Sequence, residues 1–519
     1  MGIKTADNDD SIPYAICLPF RERIDDSDID PSFLDRFPLS FVKKNLVFPL
    51  KVEDGRLIVA VASPKSLYAV EDMGRSIGAP VSAVLAPQDK ILEAINRHYE
   101  RLSGSAQEVV NELHGESLDV IAHQFEEPKD LLELTNEAPI IRLLNSLLFQ
   151  AVKERASDIH IEPFEREVDV RFRRDGALSS VLSPPKVVQE ALISRVKIMS
   201  GLDIAEKRLP QDGRIRLLVA GRDIDVRVSV VPTTFGERVV LRLLDRKGAG
   251  VSLQEIGLSA AQTEAMDGLL RRNNGIILAT GPTGSGKTTT LYAAMNRINF
   301  HERNIITVED PVEYQLRGVG QIQVNTKIGL TFARGLRSIL RQDPDVIMVG
   351  EIRDIETAEM AIQASLTGHL VLSTLHTNDA PSAVTRLVDM GVMPFLLSSS
   401  LTAVLAQRLV RVVCNNCREE YSPTEAELTV FGGRAPKRLF RGRGCDKCMK
   451  TGYSGQTGIF EFMHVDNEMR PVILKNPDSA TIRKYAASRG MRTLREDGLD
   501  KAASGITTLE EVVRVAEND

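Results

Sequence analysis

The sequence contains no tryptophan, and aromatic residues make up 5% of its 519 positions. Proteins that grip single-stranded nucleic acid stack bases on such rings, so the composition argues against a base-stacking surface. An excess of positive charge is also missing. Lys and Arg number 65 against 71 acids, giving a formal net charge of -6 and a pI of about 5.9, so no global basic field draws in a polyanion. No apolar run approaches the roughly 20 residues of a membrane span. The start, Met1-Gly-Ile-Lys-Thr-Ala-Asp-Asn-Asp-Asp10, lacks the apolar core of a secretory signal. It also departs from a myristoylation pattern at Ala6. A cytoplasmic location is expected, with membrane contact made through partners. Cysteine is scarce, with five in all. Four form two CxxC pairs, which suggests a reduced compartment and a metal rather than disulfides.

What is present is more specific. Gly281-Pro-Thr-Gly-Ser-Gly-Lys-Thr-Thr289 follows the apolar run Gly275–Thr280 and precedes the helix-compatible stretch Leu291–Arg297. A buried strand breaking into a glycine-rich turn and then a helix aims several backbone N–H groups at one point, where the helix adds partial positive charge. Gly281, Gly284 and Gly286 let the backbone approach an anion. Lys287 is expected to reach the β/γ-phosphates and the Thr288 hydroxyl to ligate Mg²⁺. Gly281, Pro282, Thr283, Gly284, Ser285, Gly286, Lys287, Thr288 and Thr289 are therefore the candidate nucleotide-binding residues.

Hydrolysis needs further carboxylates, one to hold the metal and one to orient or deprotonate water. The aliphatic run Val346–Val349 leads into Glu351, a Walker-B-like acid expected to hold Mg²⁺. Glu309, Asp310 and Glu313 crowd the end of another apolar run, which is costly unless a cation neutralises them. Glu309 is the candidate base, with Glu313 in reserve. His369 and His376 bracket the run Leu370–Leu375, and either could place an imidazole near a γ-phosphate. Cys414, Cys417, Cys445 and Cys448 can surround one Zn²⁺ with four thiolates, a closed structural site. Gly442 and Gly444 suit its tight turns, and Cys17 stands apart.

The order of elements predicts an acidic, poorly ordered start over 1–30, a compact α/β module over 31–100 and a linker over 101–137. A second α/β domain is expected over 138–250. In it, period-2 strands such as Val168–Gly176 and Ile224–Val231 throw arginines to one face. From 251 to 519, buried-type runs alternate with helical segments, which implies a parallel sheet with ligands at its carboxyl ends. The cysteine subdomain falls at about 410–455.

Together these features resemble the secretion ATPase superfamily that powers type II secretion and type IV pilus assembly. The resemblance covers Pro31 to Asp519. Gly281–Thr288 resembles its Walker A motif, Ile306–Tyr314 its aspartate box, Asp345–Asp354 its Walker B motif and Leu366–Asp379 its histidine box. Ser157–Pro163 and Arg208–Arg214 also resemble family sequences. It implies a RecA-like P-loop ATPase core, two preceding α/β domains of which the second is PAS-like, and a zinc-binding subdomain. The implied activity is Mg²⁺-dependent ATP hydrolysis by a homohexamer that drives pseudopilus assembly and protein export. The tetracysteine element sets the chain apart from retraction ATPases. The segment Glu162–Glu167 and the short first domain favour type II secretion over pilus extension, the main alternative. A nucleic-acid-translocating ring NTPase is a further alternative, against which the acidic balance counts. In the family the second domain of one subunit covers the nucleotide of the next. That makes Arg227 and Arg242 candidate arginine fingers, with Arg208 and Arg214 behind them. Arg337, Arg341, Arg353 and Arg386 are expected at interdomain or intersubunit contacts. The implied partners are inner-membrane proteins: a bitopic one docked on the first domain and a polytopic platform near the zinc subdomain.

Overall fold

The computed structural model describes residues 18–25, 28–37, 39–53, 55–102, 139–219, 222–245, 250–432 and 436–516. Cys17, the start to residue 17 and nearly all of the expected linker lie outside the described residues. The rest falls into two compact units, the first ending at Asp245.

The first unit opens with a three-stranded sheet. Val47–Glu53 pairs antiparallel with Arg56–Val61 across the turn at Gly55, whose φ is 74°. The helix Leu67–Ile77 then carries the chain over to Val81–Leu85, parallel to Arg56–Val61. The apolar sides of these strands and of the helix Gln88–Leu102 form one core around Phe48, Leu50, Met73 and Ile91.

The rest of the first unit is a six-stranded antiparallel sheet. In spatial order its strands are Ala177–Leu182, Val168–Arg174, Asp158–Pro163, Gly236–Asp245, Arg222–Thr233 and Gln211–Val219. Alternation sets its two faces. Val168, Val170 and Phe172 are buried under the helices Pro139–Lys153 and Gln189–Met199, while Asp169, Arg171 and Arg173 occupy the other side. Register then aligns one cross-strand row. Arg173 faces Asp158, Asp158 faces Arg242, Arg242 faces Arg227, and Arg227 faces Arg214.

The second unit is built on seven strands in the order Val319–Gln323, Ile305–Glu309, Val346–Val349, Leu370–Leu375, Gly275–Thr280, Leu401–Val413 and Tyr453–His464. The first six run parallel, and the last pairs antiparallel with Leu401–Val413. Its central strands are apolar runs because helices cover both faces. One core includes Leu336, Ala361 and Leu387, and the other includes Leu269, Tyr292 and Met295. The antiparallel edge strand has no counterpart in the sequence reading. Among the described residues no helix is long and apolar enough to cross a membrane.

Candidate active site and metal centre

The phosphate loop leaves the carboxyl end of Gly275–Thr280 and enters the helix Lys287–Met295. Its glycines are required by geometry: φ is 145° at Gly281, 79° at Gly284 and 86° at Gly286. A Cβ on Gly281 would also lie 2.5 Å from the Gln407 carbonyl oxygen and 2.6 Å from Ser285 Oγ. Lys287 turns back over the loop, donating to the carbonyls of Gly281 at 2.8 Å and Pro282 at 3.0 Å. Burial lowers its pKa to about 8, helped by the charge of Arg408 and opposed by that of Glu351. Thr288 and Thr289 follow, half-buried, on the first helical turn.

Neighbouring strand ends converge on the same edge. Glu351 follows Val346–Val349, pairs with Arg353, and places Oε2 3.6 Å from Nε2 of His376. Partial burial and the charge of Lys287 push the His376 pKa down, which favours the neutral imidazole, whose protonated ring nitrogen is a hydrogen-bond donor. Lys287, Glu351, Arg353 and His376 thus act on one another electrostatically. A hydroxyl donor at Thr288 and a carboxylate at Glu351 are the hard oxygen ligands that suit Mg²⁺.

Hydroxyl side chains hold this edge together. Thr280 Oγ1 lies 2.7 Å from Thr377 Oγ1 and accepts from the Thr377 N–H at 2.9 Å. Ser373 donates to the Val349 carbonyl at 2.8 Å, and Thr374 to that of Gly350 at 2.7 Å. Glu309 ends the strand Ile305–Glu309 and is only 2% exposed. Its carboxylate accepts from the hydroxyls of Tyr292 and Thr307 and from Gln321 Nε2 at 3.1 Å. Glu313 lies four residues on, half-buried.

His369 is not brought to this edge. Leu370–Leu375 pairs in register with Gly275–Thr280, so His369 precedes the strand at its amino end, opposite the loop. Six residues of strand separate the two histidines, about 20 Å. The His369 ring instead sits 2.9 Å from the Ala364 carbonyl oxygen, closing the end of the preceding helix. Arg227 and Arg242 lie in the first unit, in the cross-strand row with Arg214. Arg242 donates to Asp158 at 2.9 Å, and Arg208 pairs with Glu206 at 2.9 Å. Arg337 pairs with Glu356, whereas Arg341 donates to the Arg337 carbonyl at 2.8 Å. Arg386 lies in the last turn of the helix Ala380–Asp389.

Sequence inspection passed over Gln407, whose Nε2 donates to the Ser285 carbonyl at 2.6 Å, and its neighbour Arg408. The available signal was a polar pair interrupting the apolar stretch Leu401–Val413.

Just past that strand, Cys414 meets Cys417, Cys445 and Cys448, with all four sulfurs within 4.8 Å of one another. Specific separations are 3.9 Å for Cys414–Cys445, 3.8 Å for Cys417–Cys448 and 3.7 Å for Cys445–Cys448. Four thiolates about 2.3 Å from one Zn²⁺ stand about 3.8 Å apart, so the cluster fits that ion. N–H groups of Cys445 and Gly452 point at Cys448 Sγ, and Asn416 Nδ2 at Cys445 Sγ, favouring the thiolate forms. Gly442 packs so tightly on Gly452 that a Cβ would lie 2.0 Å from the Gly452 carbonyl oxygen.

Comparison with known proteins shows the family. The family described as Type II/IV secretion system protein matches residues 133–514, and the MshEN domain matches residues 12–105. Type II secretion system protein E of Pseudomonas aeruginosa is 50% identical over 488 residues, covering 93% of this chain and 97% of that one. Type II secretion system ATPase E of Vibrio cholerae is 47% identical over 485 residues, covering 92% and 96%. Among solved structures, the Legionella pneumophila ATPase DotB superposes with a TM-score of 0.54 at 22% identity, covering 71% of this chain and 94% of that one. That last likeness speaks to the fold alone.

Proposed function

The chain belongs to the Type II/IV secretion system protein family, and from that premise we propose that it is the ATP-hydrolysing motor of a type II secretion system. The observation that carries the proposal is the edge where the phosphate loop, Lys287, Glu351 and His376 meet at the carboxyl ends of a parallel sheet. Near-full-length identity to curated type II secretion proteins supports the same conclusion.

The residue roles follow from position and chemistry. Loop N–H groups and Lys287 bind the β/γ-phosphates, for which Lys287 exchanges its bonds to the loop carbonyls. Thr288 and Glu351 would hold Mg²⁺, which neutralises phosphate charge when bound. Glu309 orients the attacking water, one of its three donors giving way, and Glu313 is the reserve. Neutral His376 donates a hydrogen bond toward the terminal phosphate. Arg227 and Arg242, with Arg214 beside them, act on the nucleotide of an adjacent subunit in a homohexamer. In support, register aligns Arg214, Arg227 and Arg242 in one cross-strand row of their sheet. Zn²⁺ at the four cysteines staples a small subdomain. The first module docks on a bitopic inner-membrane protein, and the zinc subdomain lies near the polytopic platform. The chain thus works at the cytoplasmic face through partners.

The test is ATP turnover by the full chain with Mg²⁺. Lys287→Ala should lower it more than about a hundredfold. Turnover at the wild-type rate in that variant would refute the assignment.

A further inference from the structure

Arg408 is a cation beside the phosphate loop with a donor to spare. Leu401–Val413 runs parallel to Gly275–Thr280 with Ala406 opposite Thr280, so Gln407 and Arg408 continue alongside the loop itself. Gln407 marks that proximity by its 2.6 Å bond to the Ser285 carbonyl. Successive strand residues point to opposite sides. Arg408 accordingly reaches the segment after His376, where Nη2 donates to Asn378 Oδ1 at 3.2 Å. Its other terminal nitrogen, Nη1, is buried and has no hydrogen-bond partner.

Among the described residues no carboxylate pairs with Arg408, whereas Arg411 on the same strand is paired with the fully buried Glu511. A desolvated guanidinium nitrogen lacking an acceptor is unfavourable, and an incoming anion is the natural relief. The charge of Arg408 already acts on Lys287, the group that meets the phosphates.

Resting on the assignment of this loop to ATP, we propose that Arg408 contacts the terminal phosphate of ATP bound in its own subunit, with Asn378 as its positioning residue. A guanidinium offers paired donors that match phosphate oxygens. ADP lacks that phosphoryl group, so the contact distinguishes ATP from ADP. The strand thereby links the state of the nucleotide to the tetracysteine subdomain, whose first cysteine, Cys414, lies one residue past its end.

The test titrates ADP and the non-hydrolysable β,γ-imido analogue of ATP against the full chain by calorimetry. Arg408→Gln should weaken the analogue at least tenfold and ADP less than twofold, and Arg408→Lys should recover part of the loss. Equal weakening of both ligands, or of neither, would overturn the proposal. Should Arg408→Gln not fold, Asn378→Ala at an exposed position decides the matter: a selective loss for the analogue supports it, and an unchanged preference refutes it. Wild-type protein that binds neither ligand, or Lys287→Ala protein that binds both normally, would instead remove the ATP assignment on which the proposal rests.

Discussion

The carboxyl edge of the parallel sheet and the polar face of the antiparallel sheet both gather charge, yet they compensate it differently. At the first, Glu351 is paired with Arg353 and faces His376, and Glu309 is enclosed by Tyr292, Thr307 and Gln321. At the second, Arg173, Arg242, Arg227 and Arg214 share a row with one buried acid, Asp158. The first edge is a bonded frame that a nucleotide enters. The second is a cross-strand row of arginines in which Asp158 meets both Arg173 and Arg242. On the function proposed above, the first edge holds the nucleotide within one chain and the row acts on the nucleotide of another.

The largest expected effect probes the compensated side. Glu309→Gln keeps the shape of the carboxylate, and the hydroxyls of Tyr292 and Thr307 can reorient around it. Turnover should fall by about 10²–10⁴-fold while ATP affinity stays within about threefold, the signature of a lost general base. Single-turnover kinetics beside a binding titration would show it. Undiminished turnover would move the role to Glu351 or Glu313.

A smaller effect follows from Lys287. In the nucleotide-free chain burial sets its pKa at about 8. Bound phosphates favour the ammonium, so nucleotide binding raises this pKa. Below the free-state value the lysine is already protonated and affinity is flat. Above it, binding must take up a proton, and affinity falls by up to about tenfold per pH unit. ADP calorimetry at pH 9 in two buffers of different ionisation enthalpy reads the proton directly. Zero uptake would mean that Lys287 does not meet the phosphates.

The smallest effect concerns the arginine row. Arg214→Thr removes one like-charge neighbour from Arg227 and supplies a residue that suits a strand. The protein should gain about 0.2–1 kcal/mol, a Tm rise of about 1–3 °C by scanning calorimetry. A lower Tm would show that the row is already balanced within its own sheet.

Much of the second unit was legible beforehand, because a parallel sheet covered on both faces must be written as apolar runs, and a loop of positive-φ residues must be written with glycine. The cysteine spacing was legible for a similar reason, since four thiolates around one ion leave little freedom. What escaped was whatever depends on register. His369 and His376 flank the same strand symmetrically in sequence, and only the pairing of Gly275 with Leu370 shows which end carries the loop. Gln407 and Arg408 look like an interruption until Ala406 is placed opposite Thr280. The row from Arg173 to Arg214 is spread over five strands and exists only once those strands are paired.

Whether the arginine row acts on the nucleotide of another subunit is decided by complementation. Arg227→Ala and Lys287→Ala chains, each expected to be inactive alone, are mixed over a range of ratios and their ATP turnover measured. Intact loops and intact rows then meet in some subunit pairs, so turnover should rise above both parents and be greatest near equal amounts. No rise at any ratio, with assembly of the mixture verified, would contradict it.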